Sequence, residues 1–135
     1  MKFFFDNDLP KRLAHAMNLL CESDGDQVVA LRDKFPQDAT DVKWITDLGM
    51  ERDWVIVSVD HGLFRKTLEG AALRKSGLTA FFLSKGWGNK KFWEFAYSLM
   101  RWWPEMASAA KANKGRMFEV PARLTGKLKP LGDSG

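Results

Sequence analysis

The run WVIVSVD at residues 54–60 constrains this chain more than any other stretch. Apolar residues fill five of its first six positions, and no polar residue recurs at every second place. A strand with one wet face alternates. A strand this continuous is covered on both faces, as parallel strands between helical layers are. The rest of the chain supplies matching parts. KFFF (2–5), QVVAL (27–31), LTAFFL (78–83) and RMFEV (116–120) read as further strands. Helical spacing of apolar residues predicts helices over 9–20, 40–49, 63–75 and 89–112, with Pro104 kinking or breaking the last. Pro10 suits a first helical turn and Thr40 an N-cap. Strands alternating with helices define an α/β fold, a three-layer α/β/α sandwich around a mostly parallel sheet of four to five strands.

At 135 residues the chain reads as one domain over 1–120, followed by a basic tail at 121–135 of turn-like, flexible composition. No apolar run reaches the roughly 18 residues that span a bilayer, and the start lacks the apolar stretch of a signal peptide. The expected location is the cytoplasm, with no membrane partner. The single cysteine, Cys21, permits no internal disulfide and reads as a small core residue. The net charge of +4 is uneven: residues 85–135 carry ten Lys or Arg against four acids, while residues 1–84 carry eleven against thirteen. An acidic part and a basic part in one domain suggest metal or base chemistry on one side and a polyanion on the other.

In open parallel sheets, ligands bind beyond the carboxyl ends of the strands. Asp6 directly follows the first strand and Asp60 the third. Asp41 opens the second helix, on the same side of the sheet, and Asp8 lies close enough to join them. Carboxylates that converge repel unless cations sit between them, and their hard oxygens suit Mg²⁺ or Mn²⁺. Such ions support phosphodiester hydrolysis. Each acid also has a plainer reading: an Asx turn for Asp6, a helix cap for Asp8, complementation of the helix dipole for Asp41, a turn for Asp60. Ser58 shares a strand face with Asp60 and is placed to hold a carboxylate or a metal-bound water.

MKFFFDNDLPKRLA, DATDVKWITDLG and WVIVSVDHGLF, taken in order over residues 1–83, resemble the PIN-like group of small nucleases. The D-x-N/D-L-P opening is closest to the VapC-related, toxin-like members. The resemblance implies a three-layer α/β/α fold, Mg²⁺ or Mn²⁺ at a cluster of acids, ribonuclease activity and, in many relatives, a neutralising antitoxin protein. Carried onto this chain, the family's acids fall on Asp6, Asp41 and Asp60. One departure stands out: relatives often place an acid or Asn two residues beyond the third-strand acid, where this chain has Gly62. A PIN-like module that holds RNA or a protein without cutting is therefore an alternative. A second one is a haloacid-dehalogenase-type phosphatase, since FFFDND is similar to that family's hhhhDxD with Asp6 as nucleophile and Asp8 as acid. Pro10 and the lack of a later Lys–acid pair depart from it.

KKFWEFAYSLMRWW (90–103) is the other unusual stretch. Phe92, Phe95, Ala96, Leu99, Trp102 and Trp103 follow one helical stripe and read as core. Trp93 and Tyr97 lie off that stripe, open to three readings: a widened core, a homodimer interface, or stacking on unpaired bases. Lys85, Lys90 and Lys91 follow the fourth strand and are candidates to hold an RNA backbone.

Overall fold

Six strands form one sheet: β1 (Lys2–Phe5), β2 (Gln27–Ala30), β3 (Trp54–Ser58), β4 (Thr79–Leu83), β5 (Met117–Val120) and β6 (Lys129–Leu131). The computed structural model describes residues 1–59 and 67–132. Among the described residues five helices accompany the sheet: α1 (Lys11–Leu20), a single turn α2 (Leu31–Lys34), α3 (Asp41–Glu51), α4 (Thr67–Ser76) and α5 (Phe92–Ala112). The spatial order is β2-β1-β3-β4-β5-β6. All neighbours run parallel except β5 and β6. The alternating α/β reading and the mostly parallel sheet hold.

Alternation along the strands splits the interior into two cores. Phe3, Phe5, Val55, Val57, Phe81 and Leu83 face α1 and α5, whose Leu13, Met17, Leu99 and Trp102 complete one core. Phe4, Ile56, Ala80 and Phe82 face α3 and α4 through Trp44, Ile45, Leu48 and Leu73. Phe3, Phe4 and Phe5 have no exposed surface. Full burial of each contributes about 1.5–3 kcal/mol.

Two differences from the sequence reading have physical causes. The sheet gains a sixth strand inside the segment expected to be a loose tail. Pro130 sits opposite Phe118 in this antiparallel pair, and an edge strand is where a missing N–H is tolerated. A three-residue strand is too short to show periodicity. The long helix runs without a break from Phe92 to Ala112 with Pro104 inside it. Proline in a helix interior costs about 3 kcal/mol, and burial of Trp102, Trp103 and Met106 around it offsets that.

Helix ends follow local chemistry. The Pro10 carbonyl accepts from the N–H groups of Leu13 (3.0 Å) and Ala14 (3.2 Å), so α1 starts one residue after the proline. Thr40 caps α3 as expected, its hydroxyl accepting from Lys43 N–H at 3.2 Å. Cys21 is buried, and burial pushes its thiol pKa up, with Asp26 adding to the shift.

Candidate functional site

The chain makes its first crossover from β1 to β2 on one side and its later crossovers from β3 to β4 and β5 on the other. The point where strand order reverses lies between β1 and β3, and the carboxyl ends of those two strands flank a crevice there. β1 and β3 are in register, Phe5 beside Val57. Asp6 extends the ladder by donating its N–H to the Val57 carbonyl at 3.1 Å. Asp6 therefore comes to lie alongside Ser58, on the face that Phe4 and Ile56 define.

Asp6 is 7% exposed, an unusual place for a carboxylate. Among the described residues its oxygens accept from a donor on β3 and one in the turn after β1. Ser58, itself fully buried, donates its hydroxyl to Asp6 Oδ2. The Asp8 N–H donates to Asp6 Oδ1 at 3.0 Å, and the Asp6 carbonyl accepts from Leu9 N–H at 3.2 Å. The Asx turn thus exists, and it serves to aim the Asp6 carboxylate. Asp8 does not cap α1: Pro10 is the N-cap and no side-chain cap bond forms. The Asp8 side chain is exposed and makes no hydrogen bond or ion pair among the described residues. Asp6, Asp8, Lys11 and Arg32 are among the residues that line a cleft of about 250 Å³.

Asp41 opens α3, and its Oδ1 accepts from the Trp44 indole at 3.0 Å. Trp44 packs on Phe4 with ring centroids 5.0 Å apart, so Asp41 is moored to the same core face that carries Asp6. Asp60, with His61 and Gly62, lies outside the described residues. Among the described residues no three Asp, Glu, His or Cys form a group able to hold a metal. The donors present, the buried Asp6 and the open Asp8, are hard oxygens that fit a divalent cation of the Mg²⁺ kind in chemistry. Lys85 is exposed in a short 3-10 turn, Lys85–Asn89. Lys90 lies over the Trp87 ring at 5.5 Å, and Lys91 is the N-cap of α5.

Arg32 and Asn7 were not singled out from sequence. Arg32 Nε donates to Asn7 Oδ1 at 2.8 Å, which swings a guanidinium from the turn after β2 to the mouth of the Asp6 cleft. The available signal was position: both residues follow the carboxyl ends of adjacent strands.

A mostly parallel α/β sheet with a buried aspartate at its switch point places a candidate ligand site at the carboxyl ends of the strands. Comparison with known families agrees: the PIN-like domain family matches residues 1–85, and the chain belongs to it. No curated protein and no solved structure matches the chain. PIN-like domains are commonly nucleases, which gives the chain a nuclease-type or nucleic-acid-related function. Among the described residues no helix is long and apolar enough to cross a membrane.

Proposed function

We propose that the chain is a metal-dependent endoribonuclease whose Mg²⁺ or Mn²⁺ is held by Asp6, Asp8, Asp41 and Asp60. The observation that carries this reading is the Asp6 carboxylate, buried at the β1–β3 switch point and clamped by Ser58 and the Asp8 amide. Burying a charge is costly without compensation, and a cation-binding role explains why the fold keeps one here beside an open Asp8. When bound, such an ion lowers the pKa of a water and neutralises charge on a phosphoryl oxygen.

The chain's own residues do the rest. Ser58 fixes the rotation of the Asp6 carboxylate. Asp8 adds an oxygen donor that is free to move toward the cleft. Arg32, held by Asn7, and the lysines at 85, 90 and 91 supply cations for the phosphates on either side of the scissile bond. A toxin role, with a cognate antitoxin as protein partner, is part of the same proposal and rests on the D-x-N/D-L-P opening alone.

Gly62, at a position where relatives often carry an acid or Asn, favours the second reading of a module that holds RNA without cutting it. One experiment separates them. RNA incubated with the protein and Mn²⁺ is expected to yield products with 5′-phosphate ends, and Asp6→Asn to lower the rate on the order of 10³-fold, the loss of several kcal/mol of charge stabilisation. Intact RNA with the unaltered protein would leave only the binding module. Undiminished cleavage by Asp6→Asn would remove the proposed site.

A further inference from the structure

Five of the six tryptophans, at 44, 54, 87, 102 and 103, are at most 7% exposed, while Trp93 is 79% exposed. Its neighbour one helical turn on, Tyr97, is 58% exposed. The widened-core reading of these two side chains is therefore overturned: α5 buries Phe95, Ala96, Leu99 and Trp102 and turns Trp93 and Tyr97 outward. Trp93 and Tyr97, one turn apart on the same helix face, make an exposed aromatic pair of the kind that marks interaction sites when contiguous.

The surroundings indicate the kind of partner. A cleft of about 330 Å³ starts at Asp8 and ends at Lys90 and Phe92, so it leads from the acid edge to the first turn of α5. Phe92 meets Trp93 edge to face, ring centroids 5.3 Å apart at 79°. The Arg12 guanidinium lies over the Phe92 ring at 3.6 Å. Lys90 lies beside the same cleft, and Lys91 precedes Phe92. Arg12, Lys90 and Lys91 make no ion pair among the described residues. Glu94 is the single acid in the first turn of α5. Lys90 and the Phe92 ring thus line the cleft that Asp8 also lines, with Arg12 over that ring and Trp93 against its edge.

We infer that Trp93 is a stacking platform for an unpaired RNA base, with Arg12, Lys90 and Lys91 holding the adjoining phosphates and Tyr97 offering a second plane. This rests on the nuclease reading and gives its substrate a shape. Bases inside a duplex hide their faces, so an exposed indole near cations that make no ion pair among the described residues selects single strands. A second copy of the chain would also cover an aromatic face, but three cations that pair with no carboxylate among the described residues are complementary to a polyanion. Trp93 lies beyond the residues that define the family match, so the platform belongs to this chain's own C-terminal part.

Trp93 is its own reporter, because it is the one tryptophan open to water. In the uncut background of Asp6→Asn, an oligouridylate is expected to quench the red edge of the tryptophan emission and to shield it from iodide. Trp93→Ala is expected to abolish that signal and weaken binding roughly 5- to 100-fold, Trp93→Phe to restore most of the affinity, and a fully paired RNA to give no quench. Oligouridylate affinity unchanged in Trp93→Ala, or iodide access unchanged at saturating RNA, would overturn the platform. So would a dimer in sedimentation that Trp93→Ala splits, which would assign the face to a second copy. Cleavage by the chain with Asp6 intact is scored separately, so failure of the nuclease reading and failure of the platform are told apart.

Discussion

The two edges of the sheet contrast in how they use polar groups. The amino edge holds the larger cavity, about 790 Å³, lined by Arg52, Asp53, Lys75 and Lys114 among others. Two of its hydroxyls, on Ser76 and Thr79, hold backbone. Ser76 Oγ donates to the Leu73 carbonyl at 2.6 Å and accepts from Leu78 N–H at 3.1 Å, and Thr79 Oγ1 accepts from Gly115 N–H at 2.9 Å. The carboxyl edge holds a cleft of about 250 Å³, yet there the Ser58 hydroxyl and the Asp8 amide both orient one buried carboxylate. Hydroxyls at one edge close helix ends; the hydroxyl at the other aims a charge. The size of a cavity is the poorer guide, because open space is free and a desolvated carboxylate is not.

Ser58→Ala tests that contrast most severely. It removes the donor from Asp6 Oδ2 inside a buried site, and unfolding in urea is expected to show a loss of about 1–3 kcal/mol. If the hydroxyl serves the chemistry, cleavage falls further, by roughly 10- to 100-fold per folded molecule, as it does when the support of a metal ligand is lost. Lost stability with full activity would reduce the carboxyl edge to a structural turn, and the contrast would vanish.

Gly49→Val probes the other edge. A side chain at Gly49 meets the Ser76 Cβ at 2.9 Å and its Cα at 3.2 Å, where α3 and α4 cross. The helices must part, at about 1–3 kcal/mol of overpacking. The thermal midpoint is expected to fall while cleavage per folded molecule stays constant. A parallel loss of cleavage would mean that the two edges are mechanically coupled through α3, whose first residue is Asp41.

The sequence shows more of this contrast than of the details that create it. WVIVSVD and KFFF announce buried parallel strands because their apolar runs leave no wet face, and from strand direction alone Asp6 falls at the carboxyl edge. Asp41 belongs to that edge too, but its bond to the Trp44 indole is a packing outcome that no spacing reports. Arg32 reaching Asn7 across two strands depends on β2 lying beside β1, a pairing that local pattern cannot specify. The same holds for β6, whose partner is fixed only once the sheet exists. Trp93 was ambiguous for a different reason: five aromatic residues stand within residues 92–103 before Trp103 is reached, and periodicity alone does not say how wide a buried stripe runs.

The smallest expected effect concerns pH at the amino edge. Glu51, the last residue of α3, accepts from the Trp54 indole at 2.9 Å and pairs with Lys34 at 3.1 Å. The indole hydrogen bond, and after it the Lys34 contact, holds its carboxyl below the ordinary value of 4.5 against the opposing pull of desolvation. The unfolded chain therefore takes up this proton first as pH falls. The contribution to stability is complete above about 4.5 and is lost as pH drops through the lower folded value. Because the Glu51 side chain is 41% exposed, the pair contributes no more than about 1 kcal/mol. Glu51→Gln is expected to lower stability slightly at neutral pH and to narrow the stability difference between neutral and acid solution. The pH profile of cleavage should not move, since none of Glu51, Trp54 and Lys34 lines the Asp6 cleft. A shifted cleavage profile in Glu51→Gln would show that the amino edge titrates with the chemistry, and the division of labour between the edges would fail on its weakest and most sensitive side.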